Sequence, residues 1–266
     1  MNQVVGRGAP GNDEGTWQHA MRIAFFGGSF DPPHLGHLAI ARAARDAFHL
    51  NTVLFAPVGA QPLKPEGSAA TFEDRLAMTR LAIEGEPGFA VSLADAPKDA
   101  GKISEPNYTL ETLDGLRAEF KPETALYCLM GADSFFGLRH WHRAAEIPFA
   151  ASLIVASRPG QLLDGLREAL PKGLSLEPLP AGDRRSAGTE VRAFHVVNPA
   201  GERAPFYLLP DLDVEISATE IREAIRKATF RNVPGASKIA PADSATIQTM
   251  LPAAVAEYIR KHGLYR

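Results

Sequence analysis

From Arg22 onward the chain alternates short apolar runs with stretches of helical period, and no other feature restricts its fold as much. That alternation predicts βα units, and so an α/β arrangement of a mostly parallel sheet with helices on both faces. Arg22–Phe26, Thr52–Ala56, Phe89–Leu93, Thr124–Met130 and Ser152–Ala156 read as strands, each short and rich in aromatic or aliphatic side chains. Helices are expected over Gly36–Phe48, Thr71–Ile83 and Tyr108–Phe120, with a shorter one near Ser134. Phe72, Leu76, Thr79 and Ile83 would form the buried stripe of the second helix, and Thr109, Leu113, Leu116 and Phe120 that of the third. With 266 residues, against the ~100 to 200 of a typical domain, one large domain from Met21 to Arg266 is expected.

After Pro159 the pattern weakens. Gln161–Leu170 has helical period, whereas Pro171–Gly188 is rich in Pro and Gly and is expected to be irregular. Val191–Val197 and Pro205–Leu209 flank Asn198–Gly201 as a hairpin would. Two helices should close the chain and make a small C-terminal helical portion, about 211–266. Ser217 with Glu220 forms a capping box at the start of the first, and Gly263 gives the second a left-handed end. Residues 1–20 carry Gly6, Gly8, Pro10, Gly11 and Gly15 among polar residues without period, and are expected to be a disordered leader, with Met21 as the functional start.

Charge narrows the class of function. Lys and Arg total 28 against 31 Asp and Glu, so no global basic field recruits nucleic acid or anionic lipid. No apolar run approaches the ~18 residues of a membrane helix, and the N-terminus lacks the apolar core of a signal peptide. A single cysteine, Cys128, excludes an intramolecular disulfide framework and a cysteine-rich metal site. Its apolar neighbours suggest a buried thiol, and a cytoplasmic protein is expected.

The densest chemical signal is Gly27-Gly28-Ser29-Phe30-Asp31-Pro32-Pro33-His34-Leu35-Gly36-His37, between the first strand and the first helix. Ligands of an open parallel sheet bind beyond the carboxyl ends of its strands, where a helix N-terminus offers free amides and partial positive charge to phosphate. Gly27 and Gly28 permit close approach, and two histidines three apart can both donate to phosphate oxygens. There is no GxxxxGK[ST] loop, activated nucleophile or carboxylate pair at metal spacing.

The Gly28–His37 segment resembles the HxGH signature of the nucleotidylyltransferase superfamily, and the fuller GGSFDPPHLGHL is similar to the bacterial nicotinate-nucleotide adenylyltransferase family. Pro57–Lys64, Tyr108-Thr109, GADSF from Gly131, Trp141, Arg158-Pro159-Gly160, ISATEIR from Ile216 and the final LPAAVAEYIRKHGLY follow that family's order. The chain departs from it in the leader, in a long 161–205 stretch, in added residues over 230–249, and in Leu63 where a histidine often precedes the basic residue.

The resemblance implies a Rossmann-like fold and transfer of the adenylyl group of ATP to nicotinate mononucleotide, giving deamido-NAD and pyrophosphate. It implies His34, His37 and Arg222 as catalytic donors, and Gly28, Ser29, Phe30, Asp133, Ser217 and Thr219 around ATP. Asp133 is equally an N-cap for the Ser134 helix, and the roles are compatible. Trp141, set among Arg139, His140, His142 and Arg143, is the plate for a pyridine ring, whose carboxylate would meet backbone amides near Thr109 and His142, or else packs its loop onto the domain. Lys64 and Arg158 are candidate clamps on the acceptor phosphate, or else solvated surface charges. Mg2+ is expected to arrive on ATP, with no metal held by the protein. A pantetheine-phosphate or cytidylyl transferase would share HxGH, and a non-catalytic nucleotide sensor would share the fold; oligomeric state is not legible.

Overall fold

The computed structural model describes residues 21–62, 66–98, 105–157, 163–179, 185–186, 189–209, 216–230, 247 and 249–266. The leader over 1–20 and nearly all of the 230–249 addition lie outside the described residues.

The expected βα alternation is present: β1 (Arg22–Gly28), α1 (Leu35–Phe48), β2 (Thr52–Pro57), α2 (Phe72–Ile83), β3 (Phe89–Val91), α3 (Thr109–Glu119), β4 (Ala125–Gly131), α4 (Ala132–Phe136), α5 (Ile147–Ala150) and β5 (Ser152–Ala156). It continues through α6 (Leu163–Ala169), β6 (Ser175–Pro178), β7 (Arg185–Ser186), β8 (Thr189–Glu190), β9 (Arg192–Val197), β10 (Arg203–Leu209), α7 (Ala218–Phe230) and α8 (Ala253–His262). The main sheet has the order β3-β2-β1-β4-β5-β10-β9-β6. Every pairing from β3 to β10 is parallel, and β9 alone runs against both its neighbours.

Parallel strands covered on both faces need continuous apolar runs, and Leu126–Met130 of β4 is buried throughout. One layer packs Leu38 of α1, Met78 of α2, Ile221 of α7 and Val255 of α8 onto the sheet. The opposite layer packs Leu113 of α3, Phe135 of α4, Ile147 of α5 and Leu166 of α6. The chain winds outward from β1 to β3 and returns beside β1 with β4, so a crevice opens beyond the carboxyl ends of β1 and β4.

Two details differ from the sequence-based expectation. The segment expected to be irregular, Pro171–Gly188, contains β6, which pairs antiparallel with β9 from Ser175↔Val197 to Pro178↔Phe194. Its proline is tolerated because β6 is an edge strand. The buried face of α2 is Arg75, Met78, Thr79, Ala82 and Ile83, leaving Phe72 and Leu76 half-buried. A buried arginine lies on that face, which an apolar-period argument cannot anticipate. In the hairpin, β9 and β10 pair as expected, with Asn198 Oδ1 accepting from the amides of Ala200 and Glu202, both at 3.0 Å, and Gly201 at φ 83°. Gly263 ends α8 at φ 64°, in the left-handed region. Among the described residues no helix is long and apolar enough to cross a membrane.

Candidate active site

Two cavities occupy the crevice and share a wall. One, about 240 Å³, is lined by Gly28, His34, His37, Asp133, Ser157 and Ser217 among others. Its neighbour, about 390 Å³, is lined by residues including Asp95, Asn107, Tyr108, Thr109, Trp141 and His142. Gly27, Gly28, Ser29, Asp133 and Ser134 border both. A ligand in each would therefore meet its neighbour over the end of β1 and the start of α4.

One wall of the smaller cavity is the β1–α1 connection, and the rest comes from the β4–α4 junction, the end of β5 and the start of α7. His34 is the N-cap of α1, extended at φ −140° and ψ 169°. His37 lies one turn on, and its Nδ1 accepts from the His34 main-chain N–H at 3.1 Å. A ring nitrogen that accepts cannot carry hydrogen, so Nε2 of His37 is the donor. Burial, with the neighbouring His34, pushes the His37 pKa well below the ordinary histidine value, so the ring donates while neutral. The two rings stand 3.7 Å apart at 31°, two donor-bearing rings side by side at the end of a helix. A Cβ on Gly27 would lie 2.7 Å from the Phe25 ring, which explains the glycine there.

The loop beneath is fixed by buried groups that the sequence reading missed. Asp31, 4% exposed, accepts from the amides of Ala69 at 2.7 Å and Ala70 at 3.1 Å and from the Tyr265 hydroxyl at 2.7 Å. Arg75, 2% exposed, donates to the carbonyls of Ser29 at 2.7 Å and Val58 at 2.8 Å. Asp31 could have been suspected from its place in the densest motif, whereas Arg75 carried no signal.

Phe30 does not border either cavity. Its side chain is 1% exposed and sits under the loop, against Phe26, Phe55 and, edge-on at 4.9 Å, His37. The Phe30 ring therefore packs against the histidine and lines neither cavity. Asp133 borders both cavities, but the N-cap of α4 is Gly131 and Asp133 lies in the first helical turn. Ser217 and Ala218 bring the start of α7 to the smaller cavity, where Ser217 Oγ accepts from the Thr219 amide at 3.3 Å. Thr219 is exposed. Arg222 reaches across from α7 to donate to the Asp31 carbonyl at 2.7 Å and to Thr219 Oγ1 at 3.2 Å.

The larger cavity is assembled from separate segments. Tyr108, extended before α3, packs against His142 with ring centroids 4.3 Å apart and the rings tilted by 33°. Half-buried Trp141 follows a 3₁₀ turn over Leu138–His140. Thr109 opens α3, where main-chain N–H groups have no helical partner. Asp95 and Cys128 border this cavity, the carboxyl held by Thr112 Oγ1 at 2.7 Å and raised by burial, the thiol pushed up to about 12 for the same reason. Asn107 ties the wall together, accepting from the Ala60 amide at 3.1 Å and donating to the Ala96 carbonyl at 3.0 Å. Lys64 and Arg158 lie outside the described residues.

Comparison with known proteins adds an independent line. The family model of cytidylyltransferase-like proteins matches residues 25–224. The "Probable nicotinate-nucleotide adenylyltransferase" of Laribacter hongkongensis is 39% identical over 92% of this chain and 94% of its own length. The protein of the same name from Gloeobacter violaceus is 34% identical over 92% of this chain and 96% of its own length. Among solved structures, "Plasmodium falciparum nicotinic acid mononucleotide adenylyltransferase complexed with NaAD" aligns with a TM-score of 0.59 at 16% identity, covering 92% of this chain and 97% of that one. At that identity the likeness supports the fold.

Proposed function

We propose, because this chain belongs to the cytidylyltransferase-like family and within it to the nicotinate-nucleotide adenylyltransferases, that it transfers the adenylyl group of ATP to nicotinate mononucleotide in NAD biosynthesis. The observation that carries the reading is the pair of cavities meeting at Gly27–Ser29 and Asp133–Ser134. Adenylyl transfer needs two anions side by side: a phosphate oxygen of the mononucleotide forms a bond to the α-phosphorus of ATP, and the bond to the leaving pyrophosphate breaks.

In this reading MgATP occupies the smaller cavity. His34 and His37 donate to the triphosphate, the start of α7 brings Ser217 and Thr219 towards it, and Arg222, resting on the Asp31 carbonyl, turns its remaining N–H groups to developing charge. Asp133 accepts from the nucleoside. Magnesium is part of the substrate and screens the repulsion between the phosphates. The mononucleotide takes the larger cavity, its ring against Trp141 and its carboxylate at the main-chain amides near Thr109 and His142. Lys64 and Arg158 remain the proposed clamps on its phosphate. A cytoplasmic location is part of this proposal; among the described residues no helix is long and apolar enough to cross a membrane.

The test is direct. Purified protein with magnesium and ATP is offered nicotinate, nicotinamide, pantetheine and glycerol phosphate acceptors in turn, and pyrophosphate and the adenylylated product are measured. Deamido-NAD from nicotinate mononucleotide is expected. Turnover only with pantetheine phosphate would move the chain to another branch, and nucleotide binding without pyrophosphate would make it a sensor.

A further inference from the structure

We propose that Tyr265 is a positioning residue for adenylyl transfer: through Asp31 it fixes the loop that carries His34 and receives Arg222. The inference rests on the function proposed above. The phenol lies far from the triphosphate motif in sequence, yet its hydroxyl donates to Asp31 Oδ1 at 2.7 Å, and the residue is 7% exposed. The reversal after α8 aims it there. Gly263 adopts φ 64°, the Leu264 amide closes on the Ile259 carbonyl at 3.1 Å, and Tyr265 itself holds φ 65°. A tyrosine in the left-handed region is strained, and such strain persists where surrounding contacts enforce it.

Asp31 is where four parts of the fold meet. Its carboxylate accepts from the segment before α2 and from Tyr265, and its main-chain carbonyl accepts from Arg222 of α7 at 2.7 Å. Three residues later stands His34. A shift of the carboxylate would therefore move both the carbonyl on which Arg222 rests and the start of α1. Burial and the Asp31 charge keep the phenol above the ordinary tyrosine range, so it stays a donor throughout the working pH.

The same part of the chain supplies a control. Tyr258 of α8 donates to Asp74 Oδ1 at 3.0 Å, a part-buried phenol–carboxylate bond that links α8 to α2 and does not touch the loop. Tyr265→Phe and Tyr258→Phe remove one hydroxyl each. Both should lower the melting temperature by a few degrees. Only Tyr265→Phe should lower kcat, by about tenfold, because sub-ångström misplacement of transition-state donors is costly. The KM for nicotinate mononucleotide should stay within about twofold in both.

MgATP binding, measured by calorimetry, gives a readout without turnover and should weaken several-fold in Tyr265→Phe alone. Wild-type protein that binds MgATP but makes no dinucleotide would defeat the proposed function while binding still decides the role of Tyr265. Equal kcat and equal MgATP affinity in the two variants would overturn the proposal, as would a Tyr265→Phe protein unfolded at the assay temperature.

Discussion

The two cavities share a wall and differ in how their side chains are held. The smaller cavity takes its two histidines from one contiguous segment, Gly27–His37, and that segment rests on buried side chains: Phe30, Asp31 and Arg75 are each at most 4% exposed. The acceptor side draws on residues from β1 to the turn before α5, and His140 and His142 on its border are exposed. A rigid floor suits donors that must be in place before charge develops. A wall of exposed rings and helix-end amides suits choice among acceptors, where affinity and discrimination come from different groups.

The largest expected effect tests the rigid side. His37→Ala should lower kcat by two to three orders of magnitude, the scale of one preorganised donor lost, and His34→Ala should behave similarly. Near wild-type turnover in either variant would break the assignment of this cavity to the triphosphate. Melting curves should move less than kcat, since the cap bond from the His34 amide to His37 is of the kind worth ~1 kcal/mol.

The acceptor side should show its own signature, smaller and divided. Main-chain amides near Thr109 and His142 suit a carboxylate, whereas a carboxamide turns NH₂ donors towards one of them. Nicotinate mononucleotide should be preferred over nicotinamide mononucleotide by ~2 kcal/mol, about thirtyfold in kcat/KM. Competition between the two at equal concentration measures it, and equal use of both would remove the carboxylate pocket. Trp141→Ala should raise the KM of both mononucleotides by about three- to tenfold, the worth of an aromatic stack. The ATP KM should hardly move; a variant defective only towards ATP would erase the distinction between the cavities.

The smallest effect is on stability. In the unfolded chain His37 takes up a proton near its ordinary pKa of 6.5, whereas in the folded, ligand-free protein it stays neutral to well below that. The unfolded state thus binds more protons, and stability should fall as pH drops from 6.5 towards the folded value, by at most ~1.4 kcal/mol per pH unit from this group. His37→Ala should flatten that limb. An unchanged acid limb would mean that the ring is more solvated than the structure places it.

Much of this architecture is readable in the chain alone. The strands ending at Gly28, Pro57 and Gly131 announced themselves because parallel strands buried on both faces must be apolar throughout. His34 and His37 were legible because a helix start imposes its geometry on residues three apart. Trp141 stood out by composition, as a tryptophan among charged neighbours. The apolar periodicity of α2, by contrast, pointed at Phe72 and Leu76 while the fold buried Arg75, because that helix covers a loop whose carbonyls need a donor.

By itself, then, the sequence determined the order of the main strands and helices, the place of the glycine- and histidine-bearing turn and the residue types that could act there. These follow from periods of two and 3.6 and from capping chemistry, all of which operate within a few residues. Tertiary structure alone decided that β6 completes the sheet edge, that Phe30 faces the core, and that Asp31 is joined by partners 191 and 234 residues away, Arg222 and Tyr265. Such pairings close loops so long that no local pattern encodes them. They are selected only when burying a charged or polar group without a partner would cost more than ordering the chain that brings one.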